Sequence, residues 1–371
     1  MKIGMIGAGF MARTHLAGWR ALGEEVVGLL GYQDPTTDAF AKESRLPTFA
    51  TFEQLARNCD VVDVCSPTFT HKEYVLAAVH AGRAVFCEKP LALSLADGRE
   101  MVEAAKAAGV PFGVGHVLRF FPEYVKAAAT ARSGELGELA VLRFSRCTFT
   151  PKTGWYLDES RSGGVILDLM IHDLDFARYV AGEVAKVYAS VDRGLPGSAA
   201  PGSDAGTAAA AAAATAGGPG SPGAGELPGP HAYVILTHAG GALTHVEGSW
   251  RMPQPEFHTS FEISGSKGLL TFDSGESSAL VPHLAPVGGA GAGAAAGAAA
   301  GEAPEVPVAA SPVAEDPYTL ELEAFRDAVA KGKNPPIDGE EGLRALQIAL
   351  AAIESAASGE PVEITPLEAH R

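Results

Sequence analysis

The sequence predicts an α/β chain in two parts. A doubly wound parallel sheet comes first, and an α/β domain with an open, mostly antiparallel sheet follows. Three observations lead there. Short apolar runs alternate with helical stretches closed by glycine up to Gly115. The first of these runs, residues 2–6, passes directly into Gly7-Ala8-Gly9-Phe10-Met11-Ala12. From Glu138 onward the pattern changes to successive strands with period-two alternation, separated by turns such as Gly240-Gly241 and Gly265-Ser266.

The elements follow in order. After the strand at 2–6, Gly7 permits a tight turn and Gly9 lets backbone approach a diphosphate. Ala12 allows close helix–strand packing, and the helix running through Leu22 offers its N-terminus. Gly7, Gly9, Phe10 and Met11 are therefore assigned to a dinucleotide; the bland alternative is a glycine-rich turn between core elements. The second strand is 26–30. An acid for the ribose hydroxyls belongs about 20 residues along the fingerprint. Asp34 fits, 22 positions after Ala12 (34 − 12), though a turn before Pro35 also suits it. No arginine stands beside it to receive a 2′-phosphate, which favours NAD over NADP.

Helices are expected at 37–44 and 51–57, and a strand at 60–65 that ends in Ser66-Pro67-Thr68-Phe69-Thr70-His71. A helix at 72–81 closes at Gly82. The strand at 84–87 runs into Glu88-Lys89-Pro90. In doubly wound folds the strand ends hold the ligand. Proline fixes the backbone there, so Lys89 is placed to hydrogen-bond a substrate hydroxyl. Standing alone, Glu-Lys-Pro would read as a surface turn. A helix at 94–108, capped by Ser94 and ended by Gly109, and a strand at 110–115 complete the first part.

His116 to Pro122 leads out of the sheet into a helix through Arg132, and residues 140–149 read as an antiparallel strand. Residues 165–181 form a helix with a broad apolar face, on which Asp168, His172 and Asp175 share one side at i, i+4 and i+7. Such groups on an apolar helix are expensive unless paired or used; the competing reading is a capping or salt-bridge set. Strands follow at 186–193, 232–238, 242–251, 256–265 and 267–273. Two Ala/Gly/Pro-rich insertions, about 194–230 and 286–314, lack the side chains to bury a core and read as flexible excursions. An alanine helix at 207–215 is conceivable within the first. Helices at 316–330, with Tyr318, Leu322 and Phe325 on one side, and at 342–358 precede a short strand at 361–364. The later helix is expected to pack back on the first domain or on the second sheet.

Composition narrows the function. With 371 residues there is room for two domains, read as 1–118 and 119–371. A formal net charge of −16 argues against nucleic acid or an anionic membrane as partner. Any phosphate must then be met locally. Cys59, Cys65, Cys87 and Cys147 have no CxxC spacing, so neither disulfides nor a zinc or other metal site is expected. The strand beginning at Lys2 leaves no room for a signal peptide, and no apolar run is long enough to span a membrane. A reducing, cytoplasmic setting is the reading.

Taken together, GAGFMA at 7–12, SPTFTH at 66–71, CEKP at 87–90, HVLRFFP at 116–122 and GGVILDLMIHDLD at 163–175 resemble the Gfo/Idh/MocA family of oxidoreductases. EGSW at 247–250 and ISGSKGLL at 263–270 are similar to that family's sheet. The resemblance spans residues 2 to about 364 outside the insertions. It implies a Rossmann domain and a second domain whose sheet forms the oligomer interface, hence a homo-oligomer. It implies NAD or NADP as cofactor and a sugar, cyclitol or related polyol as substrate. Lys89, Asp168 and His172 match the family's catalytic positions. His172 would exchange the proton, Lys89 would polarise the oxygen and Asp168 would orient substrate or imidazole, with the identity of the base left open between Lys89 and His172. Ser66, Pro67, Thr68 and His71 match the loop near the nicotinamide, and Glu88 matches a cofactor-side acid. Arg119, Trp155 and Tyr156 match substrate-pocket positions; a salt bridge between domains is the alternative for the arginine, core packing for the aromatics. Many members carry an acid straight after the second strand, where this chain has Gly31-Tyr32. The rival to catalysis is a nucleotide-sensing regulator on the same scaffold, which would need none of the three catalytic positions. A cofactor held tightly and recycled within one site is a further possibility.

Overall fold

The computed structural model describes residues 1–31, 36–151, 154–193, 229–252, 257–275, 281–284 and 316–367. The readings of Asp34, of the insertions outside Gly229 and Pro230, and of an alanine helix at 207–215 lie outside the described residues.

The first sheet is built from β1 (Lys2–Ile6), β2 (Glu25–Leu30), β3 (Val61–Val64), β4 (Ala84–Glu88) and β5 (Phe112–Gly115), all parallel in the order β2-β1-β3-β4-β5. A single parallel bridge from Leu29 to Thr48 extends the β2 edge. Between the strands run α1 (Phe10–Ala21), α2 (Thr36–Ser44), α3 (Phe52–Asn58), α4 (His71–His80) and α5 (Leu95–Ala108). The punctuation is local chemistry. The Thr51 hydroxyl accepts the Gln54 N–H and the Ser94 hydroxyl accepts the Asp97 N–H, while Gly109 closes α5. β3 and β4 are buried along their whole length, as strands covered on both faces must be.

A 3₁₀ turn, Val117–Phe120, leads into α6 (Pro122–Arg132) and β6 (Leu139–Thr148). Then come the short α7 (Glu159–Ser162), a π turn at Ile166–Met170 and α8 (Ile171–Ala181). The second sheet adds β7 (Val184–Asp192), β8 (His231–His238), β9 (Leu243–Ser249), β10 (Phe257–Gly265), β11 (Gly268–Asp273) and β12 (Val281–Leu284). After α9 (Pro317–Ala330) and α10 (Gly339–Ser358), β13 (Val362–Glu363) completes it. The order is β12-β11-β10-β6-β9-β8-β7-β13.

The second sheet is mostly antiparallel, as expected, although β6, antiparallel to β10, runs parallel to β9. One expectation is corrected. The stretch 165–181 is not one α-helix, because the π turn inserts an extra residue per turn before α8. One face of this sheet is buried by alternate residues such as Val187, Ala189, Val234, Leu236 and Val246. Its other face leaves Tyr188, Tyr233, Ile235 and Leu243 exposed.

The last two helices bind the sheets together. α9 lies on α1, where a Cβ on Gly18 would stand 2.8 Å from Leu322, and its Phe325 packs edge-on to Phe86 of β4 with ring centroids 5.2 Å apart. α10 is packed so close to β5 that a Cβ on Gly342 would meet Val114 at 2.8 Å. Its other end reaches the second sheet, where Ser355 accepts the Ala189 N–H. Both alternatives foreseen for this helix are thus realised at once.

Candidate active site

A cleft with a cavity volume of about 100 Å³ opens where the C-terminal ends of β4 and β5 meet the π turn and the second sheet. Strand ends of a parallel sheet converge there because every crossover returns the chain to the same edge. Lys89 follows β4 across a cis peptide bond to Pro90. Its ammonium donates to the Asp168 backbone carbonyl at 2.9 Å and stands 3.5 Å from the Asp168 carboxylate. Burial raises the Asp168 pKa, partly offset by Lys89.

His172, in the first turn of α8, lines the same cleft. Its Nδ1 is buried without a partner among the described residues. Burial first, then the charges of Lys89 and Arg146, hold this imidazole well below its ordinary pKa. It is therefore a neutral base near physiological pH. Tyr156 also lines the cleft, and Trp155 stacks on it from behind with centroids 4.0 Å apart. Trp155 thus backs the wall and does not form it.

Arg119 is not among the residues that line the cleft and sits in an ion-pair network, the alternative expected for it. Its Nε donates to Asp175 at 2.7 Å and its Nη2 lies 2.8 Å from Glu341. Arg178 meets the same Glu341 carboxylate, so the 3₁₀ turn, α8 and α10 are joined by one ion-pair network. Burial opposes ionisation of Asp175, but Arg119 and His116 hold it below the usual carboxylate range. Asp175 follows His172 by three residues on α8 and pairs with Arg119 instead of lining the cleft, while the π turn changes the register of Asp168 against both.

On the nucleotide side, Phe10, Met11 and Glu88 line the cleft. Gly7 has φ +105°, and a Cβ there would stand 2.7 Å from the Cys65 carbonyl. A Cβ on Gly9 would meet nothing within 4 Å. The first turn of α1 has no acidic residue and no side-chain cap. An open backbone leading into an uncapped helix start fits a diphosphate in a chain of net charge −16. The loop after β3 is braced internally. Ser66 and Thr70 share a hydroxyl hydrogen bond of 2.7 Å, and both His71 nitrogens face carbonyls, those of Pro90 and Ser66, at 2.9 Å. His71 and Ser66 therefore shape the loop beside the cleft, and neither side chain lines it; Pro67 and Thr68 lie on that loop.

Sequence reasoning missed three features. Arg146 lines the cleft while pairing with Asp173 at 2.6 Å, both buried. Its signal was available: Leu142, Phe144, Arg146 and Thr148 fall on the inward face of β6, where a cation is out of place unless paired or used. Tyr318, Trp250 and Phe257 add aromatic wall from distant parts of the chain. Behind Glu88 lies a buried polar set. His15 Nε2 is 3.0 Å from Glu88, its Nδ1 is 3.0 Å from Asp63, and Trp19 donates to Asp63 at 2.7 Å. Burial works against a charge on His15, but Asp63 and Cys65 outweigh it and raise its pKa well above the ordinary value.

Comparisons with known proteins agree with this fold. Residues 1–116 match an oxidoreductase family with an NAD-binding Rossmann fold, and residues 124–271 match the GFO/IDH/MocA C-terminal domain. The chain is 30% identical over 361 residues to myo-inositol 2-dehydrogenase of Thermotoga maritima, covering 96% of each. It is 30% identical over 371 residues to 1,5-anhydro-D-fructose reductase of Ensifer adhaerens, covering 97% of this chain and 98% of that one. Among solved structures, a probable dehydrogenase from Thermotoga maritima superposes with TM-score 0.73 at 26% identity over 98% of both chains. A levoglucosan dehydrogenase in complex with NADH and levoglucosan gives TM-score 0.78 over 98% of this chain and 99% of that one, and at 22% identity it speaks for the fold alone.

Proposed function

Because the chain belongs to the GFO/IDH/MocA family of oxidoreductases, we propose that Lys89, Asp168 and His172 handle the proton while a polyhydroxylated ring is oxidised or reduced at one carbon. The activity class is hydride transfer between a nicotinamide nucleotide and a carbon bearing a hydroxyl or carbonyl group. When bound, the nicotinamide supplies the hydride acceptor or donor. The substrate class is a sugar, a cyclitol or a sugar derivative, supported by relatives named for inositol and anhydrofructose.

One observation carries the assignment of roles: a neutral imidazole with a buried nitrogen that has no partner among the described residues shares a cleft with an ammonium held by Asp168. In oxidation His172 takes the hydroxyl proton as the hydride leaves. Lys89 polarises the same oxygen and stabilises the charge that develops on it. Asp168 fixes the ammonium, through its backbone carbonyl as well as its carboxylate. On the nucleotide side Gly7, Gly9, Phe10, Met11 and Glu88 would hold the cofactor, with Ser66, Pro67, Thr68 and His71 shaping the adjoining loop. Asp34 is the proposed ribose acid, and NAD is preferred because no arginine stands beside it in the sequence.

We take residues 1–118 and 119–371 as the two domains. A homo-oligomer through the second sheet is supported by exposed Tyr188, Tyr233, Ile235 and Leu243 on its uncovered face. A cytoplasmic setting is supported by four unpaired cysteines.

The test is nicotinamide absorbance during incubation with NAD or NADP and a panel of polyols, sugars and anhydrosugars, with Lys89→Ala alongside. Reduction by the parent alone is expected. Equal rates in parent and variant would remove Lys89 from the mechanism.

A further inference from the structure

Three charged groups stand in line behind the nucleotide side of the cleft. Asp63 sits in β3, a strand buried along its whole length, where a carboxylate is costly unless paired. Its two oxygens stand 3.0 and 3.1 Å from His15 Nδ1. Trp19, one turn further along α1, donates to it at 2.7 Å, and the Cys65 thiol donates at 3.3 Å. Burial pushes that thiol up in pKa, so it stays neutral and adds no charge. The other ring nitrogen, His15 Nε2, is 3.0 Å from Glu88 Oε1. That approach lies off the line of a hydrogen bond, so the contact is one of charge. Glu88 is held on its other sides. Its Oε2 accepts the Lys89 backbone N–H at 3.1 Å, and a Cβ on Gly115 would stand 3.1 Å from Oε1. It lines the cleft together with Phe10 and Met11.

This geometry fixes the sign of the charges. Both nitrogens of His15 face carboxylate oxygens, which only accept, so each nitrogen carries a proton and the ring is an imidazolium. Burial opposes that charge, and Asp63 is the largest influence that sustains it. His15 lies between the two carboxylates, and of the three groups only Glu88 lines the cleft. The positive charge of His15 is therefore nearer the cleft than the negative charge of Asp63. Seen from the ligand, the pair is a dipole with its positive end forward. His15 and Asp63 are both fully buried, so water screens this dipole little.

We propose that the His15–Asp63 pair offsets part of the Glu88 charge and so sets how strongly the site favours the oxidised nicotinamide over the reduced one. The proposal rests on the nicotinamide reading above and deepens it. A carboxylate alone beside the ring would favour the cationic ring of NAD over the neutral ring of NADH. The forward positive end of the dipole reduces that preference and keeps the two affinities closer together. His15 and Asp63 touch no ligand; they are positioning residues that act through Glu88 and through their own field. No bond is made or broken.

Calorimetric titrations of NAD and of NADH into the full chain test this. In His15→Gln the positive end is gone and Glu88 is left uncompensated, so the ratio of NAD affinity to NADH affinity should rise about three- to tenfold. Asp63→Asn removes the charge that sustains the imidazolium, and it should move the ratio in the same direction by less. A cluster that only supports the fold would weaken both nucleotides alike. An unchanged ratio in His15→Gln, a ratio moved towards NADH, or opposite shifts in the two variants would overturn the proposal. Should the variants fail to fold, nitrogen NMR of the ligand-free parent, labelled in histidine, decides. One imidazole should keep both nitrogens protonated well above the ordinary value of about 6.5. A spectrum in which every imidazole turns neutral near that value would overturn the dipole. A protein that binds neither nucleotide overturns the nicotinamide reading and the tuning with it, and the nitrogen spectrum still decides the buried charge.

Discussion

The segment from Ile166 to Ala181 holds two kinds of inward-facing polar group within four turns. Asp173, Asp175 and Arg178 are each matched by a partner of opposite charge: Arg146, Arg119 and Glu341. Asp168 and His172 are matched less closely or not at all. The Asp168 carboxylate stands 3.5 Å from Lys89, and His172 Nδ1 has no partner among the described residues. Asp173 and Asp175 are fully buried, whereas Asp168 and His172 keep some exposure at the cleft, so burial and satisfaction together separate structure from chemistry. Paired ions at such depth hold elements together, and under-satisfied ones wait for a ligand.

The strongest way to break this comparison is to remove a member of the under-satisfied set. Lys89→Ala should lower turnover by about 10²–10⁴-fold, the range that positioned proton transfer supplies, while nucleotide affinity measured by calorimetry stays near that of the parent. Stability should change little, since the ammonium is only partly buried and its loss strands no fully desolvated partner. A large drop in unfolding free energy with turnover per folded molecule intact would place Lys89 with the structural set.

The converse substitution is Arg119→Ala. It removes one side of a buried pair and leaves Asp175 and Glu341 facing each other. The expected loss is about 3–5 kcal/mol in unfolding free energy by denaturant titration. Asp175→Asn should fall in the same direction. If Arg119→Ala is as stable as the parent but loses substrate affinity, Arg119 contacts substrate after all.

Why sequence reading separated these sets incompletely is instructive. The first sheet was legible because its signals are local: GAGFMA at a strand end, Thr51 and Ser94 as caps, Gly109 past a helix end. Asp168 and His172 were legible as polar groups on an apolar stripe. Asp175 was placed with them because a 3.6-residue period was assumed across 165–181. The π turn changes the register of Asp168 against His172 and Asp175, and its i→i+5 bonding has no compositional mark; what takes Asp175 from the cleft is its pairing with Arg119. Partners distant in sequence are invisible to periodicity, which yields strands without their neighbours. The parallel β6–β9 pairing, the Arg119–Glu341 contact and the Arg146–Asp173 pair were hidden for that reason.

Acidity sharpens the comparison further. An imidazole held neutral by burial takes up its proton in the unfolded chain near pH 6.5 but in the folded chain only well below that. Between those values the unfolded state binds more protons, so the His172 contribution to stability is lost as pH falls. Catalysis should run the other way from an ordinary histidine enzyme. The acid limb of kcat for oxidation should lie below about pH 6.5, because the base is still unprotonated there. His172→Asn should abolish that limb together with most turnover. A limb at or above 6.5 in the parent would assign the base elsewhere.

The smallest effect is expected in the nucleotide loop, where two glycines repeat the same division. Gly7 is structural: at φ +105° and 2.7 Å from the Cys65 carbonyl, any Cβ forces backbone to move. Gly9 is extended, at φ −77° and ψ −166°, and a Cβ there enters empty space. Gly9→Ala should therefore keep or slightly raise stability, by up to about 1 kcal/mol, since alanine restricts the unfolded chain more than glycine does. Yet the empty space is what a diphosphate approaching the start of α1 would use. Affinity for NAD should fall about tenfold, or roughly 1.4 kcal/mol, with the fold intact. Gly7→Ala should instead lower stability first and binding only as a consequence. If Gly9→Ala binds NAD as tightly as the parent, the room beside Gly9 is not where the diphosphate sits, and the glycine is there for the turn alone.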